Sequence, residues 1–317
     1  LLPSNPAASN FGKSVAISAK GNYVVIGSNG PAAAYVFYRG HNGWDNGSYD
    51  QQAALVPSDG GRAMSIAYSK DYIVIGDYSV GVYVFSRDDN GTEREYSDDR
   101  WFQQARLSGM SGLGHGVASE NEIIVAGAYT ENAVAIFQPG ENSWDNGLED
   151  RIARITGCDS SGELGQSVSI SDNTIIAGDR LHTHQGGPWQ AGAVYVFQKG
   201  ENEVWDSGCV DQVGELLASD PHSDDSIGLV TTIKNDTVLT SRARGELVYG
   251  FISPLAGWDG VMTESFKIEP PSGDSSLGFG TSLSITDTYS LIGEPFNGPG
   301  FAYVFSSAAD CNENGIP

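Results

Sequence analysis

A short glycine-led strand recurs six times along the chain, and no other feature limits the fold as strongly. It reads FGKSVAIS (11–18), GGRAMSIA (60–67), LGHGVAS (113–119), LGQSVSIS (164–171), IGLVTTI (227–233) and FGTSLSI (279–285). The glycines stand at 12, 61, 114, 165, 228 and 280, giving intervals of 49, 53, 51, 63 and 52 residues. Each copy continues with a second apolar run: YVVIG (23–27), YIVIG (72–76), IIVAG (123–127), TIIAG (174–178), TVLTS (237–241) or YSLIG (289–293). A Tyr-Val-Phe-like run follows, at Tyr35, Tyr83, Ala135, Tyr195, Tyr249 and Tyr303, and then a segment ending Ala-x-Leu or similar.

Only a few polar residues separate the first two runs, which is hairpin spacing. Four short strands per repeat of about 50 residues form an antiparallel meander, and six meanders in series predict a β-propeller. The continuous apolar runs fit, because the inner strands of a blade have no wet face. Leu1-Leu2-Pro3-Ser4 matches the fourth-strand ending Leu55-Val56-Pro57-Ser58, while the sixth repeat stops after its third strand at Phe305. The expected fold is therefore an all-β, six-bladed propeller over residues 1–306, closed by an N-terminal strand. Seven blades with one missing upstream is the alternative.

The repeat resembles the FG-GAP repeat of integrin α-like propellers: a Phe-Gly strand, a Val-Val-Ile-Gly strand, Tyr-Val-Phe, and a tail like Trp101-Phe-Gln-Gln-Ala-Arg-Leu107. The resemblance spans about Leu1 to Phe305 and implies an extracellular adhesion or ligand-recognition module, commonly of seven blades. Integrin-type blades often hold calcium on Asp-x-Asp-x-Asp-Gly loops between their first two strands. Here those connections are AKGN, SKD, SENE, SDN, KND and TD, too short and too poor in carboxylates, so those metal positions do not transfer.

WDNG occurs at Trp44–Gly47 and Trp144–Gly147, and register by repeat adds Trp205-Asp206 and Trp258-Asp259, with Tyr96 at the equivalent place in the second repeat. Each opens the connection to the outer strand, which fits neither a WD40 repeat nor a sialidase-type Asp box. Acids follow five residues apart: Asp45 and Asp50, Asp145 and Asp150, Asp206 and Asp211, Asp259 and Glu264. Two readings stand: exposed Asp/Asn-Gly turns, or loops lending oxygen ligands to calcium. At the end, DCNENGIP places Asp310, Asn312, Asn314 and Gly315 in the order that opens an EF-hand-like loop. Residues 307–317 resemble a linker and the start of a thrombospondin type 3 or dockerin-like calcium repeat, so Ca2+ is the one cofactor expected.

Among the three cysteines, Cys158 and Cys209 flank the fourth repeat's strands and are the first choice for a bridge over either pairing with Cys311; idle thiols are the other reading. Sequons stand at Asn46, Asn90 and Asn235. His182 and His184 offer two nitrogens but lack a third ligand nearby in sequence, so an exposed loop is expected there. Trp189, beside Gly186, Gly187 and Pro188, either presents an aromatic to a ligand or packs locally.

Forty acids against 17 basic residues give a net charge of −23, which repels nucleic acid and anionic membranes. No apolar stretch is long enough to cross a bilayer, and the absence of an initial methionine suggests a piece of something longer. No catalytic motif is present. The sequence thus predicts a non-enzymatic extracellular or cell-surface recognition module that binds a protein or glycan on its long loops, 180–191, 86–100 and 218–226. The alternatives are a structural building block packing against other copies of itself, and, less favoured, a propeller hydrolase.

Overall fold

The structure, a computed structural model, describes residues 1–5, 9–30, 33–39, 51–89, 91, 99–141, 143–158, 162–184, 186–199, 204–209, 211–242, 247–271, 273 and 278–306. It is an all-β propeller of six blades with almost no helix. The first blade runs β1 (Val15–Ile17), β2 (Tyr23–Gly27), β3 (Ala34–Tyr38) and β4 (Gln51–Leu55). The second holds β5 (Ser65–Ser69), β6 (Tyr72–Asp77), β7 (Gly81–Asp88) and β8 (Arg100–Leu107), and the third β9 (Leu113–Glu120), β10 (Ile123–Ala128), β11 (Ala133–Phe137) and β12 (Arg151–Ile155). The fourth contains β13 (Val168–Ser171), β14 (Thr174–Asp179), β15 (Ala193–Gln198) and β16 (Gln212–Leu217). After β17 (Thr231–Lys234), β18 (Thr237–Ser241) and β19 (Val248–Ile252), β20 (Gly260–Thr263) joins the fourth blade, and β21 (Phe266–Ile268) completes the fifth. The sixth has β22 (Ser282–Ile285), β23 (Tyr289–Glu294) and β24 (Phe301–Ser306).

By internal contacts the chain divides into two compact units, residues 1–130 with 135–152, and residues 131–134 with 153–317. In both, the second and third strands supply the core. Ile73–Ile75 and Val82–Phe85 are buried in the first unit, Ile175–Ala177 and Ala193–Phe197 in the second. Burial on both faces accounts for their unbroken apolar sequence. The turns between first and second strands are tight, with left-handed residues at Lys70, Asn121, Asp172 and Asn235.

The repeat glycines sit where successive blades touch through backbone. Gly228 has φ +91, and a Cβ on Gly178 would stand 1.8 Å from the Gly228 carbonyl oxygen. In the first unit, a Cβ on Gly76 would stand 2.2 Å from the Gly114 oxygen. First-strand hydroxyls tie the same carbonyls: Ser65 Oγ donates to Gly114 O at 3.2 Å and Ser167 Oγ to Gly228 O at 2.8 Å.

Among the described residues, the Trp-Asp turns at Trp144, Trp205 and Trp258 each bind to the outer strand of the preceding repeat. Gly147 N donates to Arg106 O and Gly147 O accepts from Ser108 N, both at 2.9 Å, while Asn146 Oδ1 accepts from Arg106 N at 2.9 Å. Gly208 repeats this against Arg154 and Thr156, with Ser207 Oγ accepting from Arg154 N at 3.1 Å. At Trp258 the clasp lengthens into β20, which pairs with β16 in parallel from Gly214↔Gly260 to Leu217↔Thr263. A purely antiparallel four-stranded meander is thus corrected at the fourth blade. Trp144, Trp205 and Trp258 are buried, and Trp144 lies edge-on to Tyr72 with ring centroids 5.8 Å apart. A disulfide joins Cys158 to Cys209, beside the Gly208 clasp.

The expected closing strand is not formed among the described residues: Leu1–Asn5 carries no strand, and the sixth sheet has three. Ser4 N instead donates to Gln51 Oε1 on β4 at 2.7 Å, and Leu2 is 84% exposed. The terminal segment therefore satisfies its backbone at the edge of the first sheet.

Gly178→Ala should lower stability by about 1–3 kcal/mol through overpacking, whereas Gly140→Ala, whose Cβ meets only the Asp150 carboxylate at 3.9 Å, should stay within about 0.5 kcal/mol. Urea unfolding of the two variants checks this. Removing the Cys158–Cys209 bridge, which spans 51 residues, should cost about 4 kcal/mol on the chain-entropy model, read as a lower denaturation midpoint for the Cys158→Ser/Cys209→Ser protein.

Candidate functional site

The acids of the Trp-Asp turns organise the turns themselves. Asp150 is buried and accepts from the backbone N–H groups of Asp145 and, at 3.2 Å, Gly140. Asp211 is buried and accepts from Asp206 N at 2.7 Å. Burial pushes the Asp211 carboxyl up, against the pull of that N–H. Asp145, Asp206 and Asp259 are exposed. Glu264 turns to Ser219, accepting from its N at 2.8 Å and its Oγ at 2.5 Å, and meets Lys267 Nζ at 3.2 Å. Asp45, Asp50, Asp310, Asn312 and Asn314 lie outside the described residues, as do the sequon asparagines Asn46 and Asn90. Asn235 is exposed on the β17–β18 turn, its Nδ2 donating to Asp287 Oδ1 at 3.0 Å.

In the second unit, two of the long loops form one surface. Asp224 N donates to Trp189 O at 3.0 Å, Ser226 N to Gln190 O at 3.2 Å and Ile227 N to Ala191 O at 3.0 Å. Trp189 is 60% exposed on this joined surface. Beneath it, buried Arg242 reaches Asp225 at 3.1 Å, the Asp220 carbonyl at 3.2 Å and the Tyr249 hydroxyl. Most of the connection between β7 and β8, the third long loop, lies outside the described residues.

Third-strand tyrosines anchor loops by a repeated device. In the second blade Tyr83 bonds Asp59, which pairs with Arg106 directly across from Tyr83. In the fifth, the Tyr249 hydroxyl donates to Asp220 at 3.1 Å, and Asp220 pairs at 2.9 Å with Lys267, directly across from Tyr249. The fourth blade inverts the charges. Glu215 stands across from Tyr195, and the loop supplies His182, whose Nδ1 lies 3.2 Å from the Tyr195 hydroxyl.

His182 is therefore buried, 3% exposed, and the expectation of a wholly exposed loop is corrected: the segment folds back over a tyrosine and an acid that match its imidazole. Its Nε2 lies 3.1 Å from Glu215 Oε1, and the half-exposed His184 brings Nδ1 to 3.8 Å from the same oxygen. The ligating atoms of His182, His184 and Glu215 all lie within 4.8 Å of one another; among the described residues, no other three His, Cys, Asp or Glu side chains gather this way. Sequence reasoning missed Glu215, although alignment on the tyrosines would have flagged it as the acid where the second and fifth blades carry Arg106 and Lys267.

No protein-family model and no curated protein matches the sequence. Solved structures do share the fold. Virginiamycin B lyase from Staphylococcus aureus aligns with TM-score 0.60 at 10% identity, over 98% of this chain and 88% of that one. The computationally designed Ika8 protein aligns with TM-score 0.53 at 16% identity, over 96% and 72%. Hsv2p of Kluyveromyces lactis aligns with TM-score 0.51 at 10% identity, over 90% and 81%. At such identities the likeness establishes the β-propeller fold alone.

The loop surface should loosen in acid. Against burial that would raise it, hydrogen bonds from Lys267 and Tyr249 and the charges of Lys267 and Arg242 hold the Asp220 carboxyl below its ordinary range. Against the same effect of burial, Ser219 and Lys267 hold Glu264 low. Depressed carboxyls stabilise the folded state fully above their unfolded pKa of about 4 and lose that contribution as pH falls below it. Amide protection at Ser219, whose N–H donates to Glu264, should therefore persist at neutral pH and collapse below about pH 4, as hydrogen exchange corrected for intrinsic rates would reveal.

Proposed function

We propose that this propeller is a non-enzymatic recognition module of a larger extracellular or cell-surface protein, and that it takes a protein or glycan on the joined 180–191 and 218–226 loops. The carrying observation is Trp189, exposed on a surface knitted by backbone hydrogen bonds and held from below by Arg242. Solvent-facing aromatics on rigid supports are the usual anchors of binding surfaces, because they bury much area with little loss of conformational freedom. The disulfide suits an oxidising compartment, and the FG-GAP-like repeat points to the same setting. The net charge of −23 favours a cationic or neutral partner. First-strand hydroxyls at Ser65 and Ser167 are committed to glycine carbonyls, which favours a structural over a catalytic role for them.

One observation favours the second reading, a building block of an assembly. The outer face of the sixth sheet carries Tyr289, Leu291 and Val304 at 54, 45 and 66% exposure, and Leu291 lies directly across from Val304. A row of apolar side chains of this kind suits packing against another copy.

Trp189→Ala should weaken binding on a glycan array or to cell surfaces at least about 30-fold, with unchanged thermal stability. Unchanged binding would defeat the recognition reading. If assembly is the function, light scattering should detect oligomers that Leu291→Lys dissolves.

A further inference from the structure

We propose that His182, His184 and Glu215 form a binding site for a divalent transition-metal ion of the zinc class, one that leaves a coordination position open beside the 180–191 loop. It is independent of the partner reading, and either can fail alone.

The donor set carries the argument. His182 Nε2 and Glu215 Oε1 are both buried and neither makes a hydrogen bond, although they stand 3.1 Å apart. In the matching positions of the fifth blade, Lys267 Nζ donates to Asp220 at 2.9 Å, and in the second Arg106 closes on Asp59 with a hydrogen bond. The fourth blade therefore has the same frame with its polar contact unclosed. Donors about 2.0–2.1 Å from a tetrahedral zinc lie about 3.3 Å from one another. The separations of 3.1 and 3.8 Å from Glu215 Oε1 to His182 and His184 bracket that value.

Support around the ligands has the form metal sites use. A histidine that binds through Nε2 keeps its proton on Nδ1, and Nδ1 of His182 faces the buried Tyr195 hydroxyl at 3.2 Å. Such an outer partner holds the ring orientation and can accept the Nδ1 proton. The backbone is also held: Gly192 N donates to His182 O at 3.0 Å, Gly187 N to His184 O at 2.8 Å, and Gln190 N to Thr183 Oγ1 at 2.9 Å. A buried carboxylate needs a cation beside it. Among the described residues, the basic side chains beside Glu215 are these two imidazoles. Imidazole and carboxylate together suit zinc, and copper(II) would bind more tightly by the usual order of affinities.

The test titrates the metal-free protein with ZnCl2 against a chromophoric chelator near neutral pH, and repeats the titration with Co2+ to read the visible spectrum of a low-coordinate ion. One equivalent should bind, with a rise in thermal stability. His184→Ala alters a half-exposed side chain and should fold normally, yet should weaken binding by at least the roughly 10–100-fold that loss of an outer-shell partner costs. Tyr195→Phe, checked for folding by circular dichroism, should weaken it by about 10–100-fold. Equal zinc affinity in wild type and His184→Ala would overturn the proposal, because binding would then reside in acids elsewhere. No stoichiometric binding, with stability lost in Glu215→Gln, would also overturn it and leave an inverted ion pair.

Discussion

Successive blades meet through glycine. The backbone of one blade's second strand lies against the glycine carbonyl that opens the next, at Gly76 against Gly114 and Gly178 against Gly228, with no room for a side chain between them. That approach draws Ser65 and Ser167 within hydrogen-bonding reach of the same carbonyls. It also sets how near the outer strands can come, and so allows Gly147 and Gly208 to exchange hydrogen bonds with Arg106 and Arg154. Packing held only by apolar faces could slide; where these contacts occur, serine hydroxyls on the inner glycine carbonyls and backbone bonds at the Trp-Asp turns hold neighbouring strands in register.

Upon this frame, the third-strand tyrosine of the second, fourth and fifth blades does a different task. Its ring fills the core while its hydroxyl reaches a loop residue, giving Tyr83–Asp59–Arg106, Tyr195–His182–Glu215 and Tyr249–Asp220–Lys267. Buried hydroxyls need partners, so the tyrosine selects a polar residue from the incoming loop, and the loop inherits a fixed entry point. The 218–226 segment is a long connection by sequence, yet Asp220, Asp225 and Glu264 give it many ties to the sheets below.

The repeats, the blade count and the two buried inner strands were legible because each follows from local periodicity and glycine spacing. The site was less so. His182 and Glu215 are 33 residues apart in number, and only the pairing of β15 with β16 sets Glu215 opposite Tyr195 and under the loop. The Trp-Asp acids left two readings open for a related reason. An acid five residues after another can turn inward to cap its own turn, as Asp150 and Asp211 do, and composition carries no trace of that choice. Leu1–Ser4 resembles the end of a fourth strand in sequence, but among the described residues it pairs with no strand, because pairing depends on what edge lies beside it.

Charge inversion in the fourth blade has a further consequence for the loops above it. In the second and fifth blades, an acid on the loop meets a base on the outer strand, an arrangement complete in itself. With a histidine on the loop and an acid below, the fourth blade instead sets an imidazole where the other two set a fixed positive charge. A metal ion held by the proposed His182, His184 and Glu215 set would tie the 180–191 segment, and with it the Trp189 surface, to the outer strand of the fourth blade.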